Sequence, residues 1–135
     1  MLFRSPSMLG NANVIAMPHI GASTEESEEN CAVMAANQLM DYLENGNIHN
    51  SVNMPSISMG RATGTSRITF SNDNVSGVLG HVLSVLADHK VNVIDMINKS
   101  RGELAFNIID VESAPAAGVV DAIAAVEHVI RVRVI

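Results

Sequence analysis

The run from Arg67 to Glu112, RITFSNDNVSGVLGHVLSVLADHKVNVIDMINKSRGELAFNIIDVE, reads as a strand, a polar turn, a helix and a hairpin in succession, which leaves few folds open. Ile68 and Phe70 alternate with Arg67 and Thr69, the period of a half-buried strand. The turn SNDNVSG sets two amide side chains and a glycine between that strand and a helix, a place where a fold can grip a small anion. After Gly77, Val78, Leu79, Val82, Leu83 and Leu86 recur at helical spacing, with Gly80, His81, Ser84 and Asp88 on the other side. Residues 92–101 and 103–112 are strand-like runs joined at Arg101-Gly102, which predicts a hairpin. Residues 116–127 are helix-like, with Val119, Val120 and Ile123 as an apolar stripe, and Ile130, Val132 and Val134 then alternate with Arg131 and Arg133. Strand, helix, strand, strand, helix, strand predicts an α+β, ferredoxin-like βαββαβ sheet with both helices on one face.

Composition narrows the function classes. A chain of 135 residues, 47% hydrophobic, suits one domain plus an appendage, and with 3% aromatic residues its core must be aliphatic. The net charge of −6, with 8 scattered Lys and Arg residues, argues against nucleic acid, because phosphate binding needs a basic surface. Cys31 is the single cysteine, so no intramolecular disulfide forms; the simple expectation is a cytoplasmic protein, with Cys31 a small apolar helix residue rather than a nucleophile. No apolar run reaches the ~18 residues of a membrane span, and the first residues do not form a signal peptide. A soluble protein without membrane partners is expected.

Ahead of the sheet, residues 1–13 are loop-like, and residues 14–17 form a short apolar run ending at Pro18. In PHIGASTEESEEN, Ser23 with Glu26 fits a capping box, and Glu25, Glu26, Glu28 and Glu29 fall where a helix dipole favours negative charge. The helix should run to about Glu44 and stop at Asn45-Gly46. At ~1.5 Å per residue it spans roughly 30 Å, so its stripe of Ala32, Ala35, Ala36, Leu39, Met40 and Leu43 needs a partner surface. Residues 45–66 hold Gly46, Pro55, Gly60 and Gly64 among Ser, Thr and Asn and predict a linker, with a domain boundary near Met59. The expected division is therefore 1–59, with the long helix and linker, and 60–135, the sheet domain.

The five histidines, His19, His49, His81, His89 and His128, show no metal-ligand spacing, so no metal is expected. Neither GxGxxG nor GxxxxGK[ST] occurs, so no dinucleotide or nucleotide cradle is expected. His19, between Pro18 and Ile20 just before a helix start, could act as a general acid or base, or stand as a solvated loop histidine.

The segments NVIAMPHIGASTEESEEN, SVNMP and SRITFSNDNVSGVLGHVLSVLADHKVNVIDM together resemble the C-terminal part of the D-3-phosphoglycerate dehydrogenase family, over nearly the whole chain. PHIGAST is similar to the segment that holds the catalytic histidine of D-2-hydroxyacid dehydrogenases, and residues 67–135 resemble an ACT domain, a regulatory amino-acid sensor. The resemblance implies that His19 is the acid that exchanges a proton with the substrate hydroxyl, and that Gly21 lies beside the nicotinamide of NAD. It implies also that the partner glutamate, the substrate-binding arginine and the NAD-binding Rossmann unit come from sequence before this chain. In that family L-serine sits between two protomers, held by two polar residues of the first strand–helix loop and by an asparagine at the start of the neighbour's second strand. Asn72, Asn74 and Asn92 match these positions, which implies a homodimer through ACT domains. Backbone N–H groups near Val75 to Val78 could receive a carboxylate, and amide oxygens could accept from an ammonium. Alternatively Asn74 or Ser76 caps the helix, and Asn72 and Asn92 are turn residues.

Two function classes follow. One is the L-serine-binding allosteric regulatory portion of a serine-biosynthesis dehydrogenase. The other is a partial NAD-dependent dehydrogenase chain, active only with an N-terminal Rossmann portion. In either case the chain alone is expected to show neither dehydrogenase activity nor NAD affinity.

Overall fold

The computed structural model describes residues 12–15 and 21–135. Seven elements follow one another: α1 (Glu25–Asn45), β1 (Ser66–Asp73), α2 (Val78–Asp88), β2 (Val93–Arg101), β3 (Leu104–Val111), α3 (Ala117–Ala124) and β4 (Val129–Val134). By contact density the chain divides into two compact units, Met1–Ala36 and Asn37–Ile135, and the sheet belongs to the second.

The four strands are ordered β2-β3-β1-β4 and every pairing is antiparallel, which is the ferredoxin-like order that the alternation of elements predicts. β1 pairs with β3 from Ser66 opposite Val111 to Asp73 opposite Leu104. The hairpin β2–β3 turns at Gly102, whose φ of +61° is left-handed and suits a residue without Cβ. Both β2 and β4 are edges.

On one face, Ile68 and Phe70 of β1 and Ile109 and Val111 of β3 meet Val82 and Leu86 of α2 and Val119 and Ile123 of α3. Helical spacing marks this stripe in the sequence, and the structure buries it as expected, with Leu79 and Leu83 packed alongside.

The opposite face departs from expectation. β1 is not half-buried: Arg67, Thr69 and Ser71 on its second face are as enclosed as Ile68 and Phe70 on its first. Residues 45–66, whose composition predicts a linker, are the cover. Ile48 and Ile57 pair as an antiparallel bridge, and with Met59 they bury against Phe106 and Ile108 of β3, flanked by Tyr42, Met54 and Ile97. The boundary expected near Met59 thus runs through packed chain, since Met59 is itself buried and its N–H donates to Asn47 Oδ1 at 3.0 Å. Burying side chains of this size contributes about 1.5–3 kcal/mol each, enough to hold a segment with little regular structure.

At the helix before this strap, Thr24 caps α1 in place of Ser23: its Oγ1 accepts the Ser27 N–H at 3.2 Å. The C-terminus falls at Asn45-Gly46 as predicted, where the Gly46 N–H donates to the Tyr42 carbonyl at 3.0 Å and Gly46 adopts φ +73°. Glycine is required there twice over, because a Cβ would stand 2.5 Å from the Thr69 methyl. Leu39, Met40 and Leu43 of the predicted stripe remain exposed. No helix among the described residues is long and apolar enough to cross a membrane.

Candidate ligand-binding site

The loop between β1 and α2 is built from backbone hydrogen bonds that leave a concave surface beside it. The Asp73 N–H donates to the His128 carbonyl at 3.0 Å, the Val75 N–H turns back to the Asp73 carbonyl at 2.8 Å, and the Asn74 N–H reaches the Glu103 carbonyl at 2.8 Å. Asn74 adds a side-chain bond, its Nδ2 donating to the Gly102 carbonyl at 3.0 Å. The loop is thereby pinned to the β2–β3 hairpin and to the start of β4. Gly77, at φ +93°, precedes α2, and no side chain caps that helix, so the reading of Asn74 or Ser76 as a cap is not realised. The first N–H groups of α2 therefore lack both intrahelical and side-chain partners.

A cavity of about 350 Å³ opens here, lined by Asp73, Asn74, Val75, Gly102, Glu103 and His128. His128 Nδ1 stands 3.0 Å from Asp73 Oδ2. With the carboxylates of Asp73 and Glu103 among its lining, the surface can receive an ammonium.

Asn72 does not line that cavity. It is 5% exposed, and its amide is spent inside the sheet: Nδ2 donates to the Asp73 carbonyl at 2.7 Å, while Oδ1 accepts from Asn107 Nδ2 at 2.8 Å. Asn107 is fully enclosed, between the strand positions of Phe106 and Ile108, and its Oδ1 accepts from Asn98 Nδ2 on β2 at 2.6 Å. An amide buried without partners costs about 1–3 kcal/mol, so this chain of three amides is tolerated because each link is made.

Asn92 sits elsewhere. It lies just before β2, exposed, at the end of the sheet where Val93 pairs with Val111, with one long bond to Glu112 Oε2 at 3.4 Å. Asn74 follows the Asp73–Leu104 end, roughly 23 Å away along the strands at ~3.3 Å per residue. One chain does not bring the two together.

Residues 66–128 match the ACT domain family. This chain carries an ACT domain. Three curated relatives, all D-3-phosphoglycerate dehydrogenases, extend the similarity beyond the ACT domain. That of Haemophilus influenzae is 29% identical over 123 residues, covering 91% of this chain and 30% of the relative. That of Escherichia coli K12 is 30% identical over 125 residues, covering 91% and 30%. D-3-phosphoglycerate dehydrogenase 2 of Saccharomyces cerevisiae is 34% identical over 113 residues, covering 81% and 24%. The chain thus spans less than a third of the length of these relatives.

Of the five residues singled out in the sequence, the ACT domain holds Asn72, Asn74 and Asn92, in three different settings: buried, hairpin-bound and exposed at the far end of an edge. His19 lies outside the described residues. Gly21 is exposed in a turn ahead of α1, where an added Cβ would meet nothing within 4 Å. No group of three or more potential metal ligands occurs among the described residues. Sequence reasoning missed Asn98, Asn107 and the Asp73–His128 contact. The one signal for Asn107 was a polar residue inside the apolar run AFNIIDV. His128 carried no local signal, because Asp73 stands 55 positions away.

Proposed function

We propose that this chain is the amino-acid-sensing regulatory portion of a D-3-phosphoglycerate dehydrogenase, and that it binds L-serine at a seam between two ACT domains. The observation that carries the reading is the position of Asn74 and Asn92 relative to the edge strand β2. Asn92 and Gly102, the residue Asn74 holds, lie equally far from Ile97, the central residue of β2. Pairing β2 antiparallel with the β2 of a second copy about a two-fold axis at Ile97 therefore sets Asn92 of one copy opposite Gly102 of the other. Each such pair closes one cavity with a neighbour's amide, and the symmetry makes two.

A zwitterion suits the composite site. Its ammonium faces Asp73, Glu103 and the hairpin carbonyls, and its carboxylate accepts from the incoming Asn92 amide. The similarity to D-3-phosphoglycerate dehydrogenases over most of the chain supports L-serine as the amino acid.

Calorimetry with L-serine on the wild type, Asn74→Ala and Asn92→Ala, with sedimentation alongside, tests this. A hydrogen bond to a charged group is worth about 1.5–3 kcal/mol, so each variant should bind about tenfold to a hundredfold more weakly. Asn92→Ala is the cleaner probe, since only a 3.4 Å bond is lost within its own chain. No heat from the wild type, or equal affinity in all three proteins, would leave Asn74 as a hairpin tie and Asn92 as a turn residue.

A further inference from the structure

The amide chain Asn98–Asn107–Asn72 runs from the open edge of the sheet to the ligand loop, and every link in it points the same way. Asn98 donates to Asn107 at 2.6 Å, Asn107 to Asn72 at 2.8 Å, and Asn72 to the Asp73 carbonyl at 2.7 Å. That carbonyl also accepts the Val75 N–H at 2.8 Å, so the chain ends on the atom around which the loop turns. Aligned amides polarise one another, and the loss of one donor weakens those beyond it. The middle member is wholly buried on the face that packs against α2 and α3, where its strand neighbours Ile109 and Val111 are aliphatic. A hydrocarbon there would fill the space without any polar requirement, whereas an asparagine fixes one rotamer and one loop geometry. Asn98, in contrast, is exposed on β2.

We propose that Asn98 and Asn107 are positioning residues for the ligand loop, transmitting the state of the β2 edge through Asn72 to the turn that holds Asn74. The proposal deepens the L-serine reading and rests on it for its ligand, but the loop geometry can be measured without ligand. Pairing of β2 with a second copy orders Asn98, and the ordered donor tightens the turn at Asp73. Seam and pocket are then coupled through side chains that never touch the amino acid.

The test uses the full chain, with Asn98→Ala and Asn107→Leu set against Ser100→Ala, an uncharged exposed position on the same strand. Amide hydrogen exchange is followed without ligand, and L-serine binding by calorimetry, with thermal melts to establish folding. In both asparagine variants, exchange at Asn74 and Val75 should speed up about tenfold, the scale of one hydrogen bond, with Thr69 and Ile109 unchanged. L-serine affinity should fall by a similar factor, and Ser100→Ala should change neither. Where Asn107→Leu fails to fold, Asn98→Ala alone decides, because its side chain lies at the surface. Unchanged loop exchange, or an equal effect from Ser100→Ala, overturns the proposal whether or not L-serine binds. A wild type that binds no L-serine overturns the ligand reading only, and the exchange result still judges the relay.

Discussion

Arg67 shows how far a single residue can depart from its local pattern. Beside Ile68 it occupies the position that alternation assigns to solvent, yet it is fully buried and all five of its N–H donors are used. Nε and Nη2 clasp the two oxygens of Asp110 at 2.6 and 2.8 Å, Nη1 reaches the carbonyls of Asn45 and Met59 at 2.8 and 3.0 Å, and Nη2 also reaches that of Gly60 at 2.9 Å. One guanidinium therefore joins the end of α1, the strap and β3. Replacing Arg67 by Met keeps much of the volume but leaves Asp110 buried without its cation, which should destabilise by about 3–5 kcal/mol. Denaturant titration of Arg67→Met reads that loss, and the double variant Arg67→Met/Asp110→Leu should recover part of it, since an apolar pair has no charge to strand. The reason this was not legible in the sequence is distance: Asp110 is 43 positions from Arg67, and a lone Arg in a strand looks the same whether it meets water or a partner. The site residues divide in the same way. Asn74 stood out through its polar turn and Asn92 only through the family pattern, while Asn107, whose partners are 9 and 35 positions away, offered no periodicity to read.

Elements with a period were legible, and the element without one was not. β1, α2, the hairpin, α3 and β4 each repeat apolar residues at 2 or 3.6 and fall where the alternation puts them, to within a few residues at α3, which stops at Ala124 rather than Glu127. The strap buries Ile48, Ile57 and Met59 and partly covers Met54, and of these Ile57 and Met59 alone stand two apart, too short a run to read as a strand among the Gly, Pro and Ser residues that usually mark a linker. Beside that burial, hydrogen bonds at its junction with α1 tie the strap down. Asp41 accepts Asn45 Nδ2 at 2.8 Å, Asn47 Nδ2 at 3.1 Å and His49 Nε2 at 2.9 Å. The Asn45 amide foremost, with His49 and Asn47 adding to it against the opposing effect of burial, holds the Asp41 carboxyl below its ordinary value of 3.8. A depressed carboxylate contributes stability that is complete above its unfolded-state value and disappears as pH falls through the folded one. Thermal melts of wild type and Asp41→Asn should therefore differ near neutral pH, with the wild type the more stable, and converge below about pH 4 as Asp41 takes up its proton. Equal stability of the two proteins at neutral pH would assign the Asp41 contacts no role in pinning the strap, and a gap that persists to the lowest pH would trace the loss to something other than the carboxylate charge.

For the whole molecule, the strap decides which surfaces remain for assembly. α2 and α3 cover one face of the sheet and the strap covers much of the other, so among the described residues the sheet offers a second copy open backbone at its edges β2 and β4. These edges are not equivalent. β2 spans Val93–Arg101 and exposes Ile94 at 50% and Met96 at 36%, a long strand with apolar side chains at its free margin. β4 is shorter, Val129–Val134, and carries Arg131 and Arg133, the latter tied to the Leu43 carbonyl at 3.1 Å and lying 4.8 Å from the Tyr42 ring centroid. Short strands and cationic side chains are the usual means by which an edge is kept from pairing, so association should run through β2. About an axis at Ile97, position 96 faces Asn98 of the second copy, so a lysine there sets two like charges diagonally across the seam, close enough to oppose pairing. Met96→Lys, next to the proposed axis at Ile97, should therefore shift the protein to monomer in sedimentation equilibrium, whereas Ile130→Lys on β4 should leave the dimer intact. Because the composite site needs Asn92 from a second copy, Met96→Lys should also abolish L-serine binding although it alters no residue that lines the cavity. A monomeric Met96→Lys protein that binds L-serine with wild-type affinity would confine the site to one chain. Loss of the dimer in Ile130→Lys alone would move the seam to the other edge.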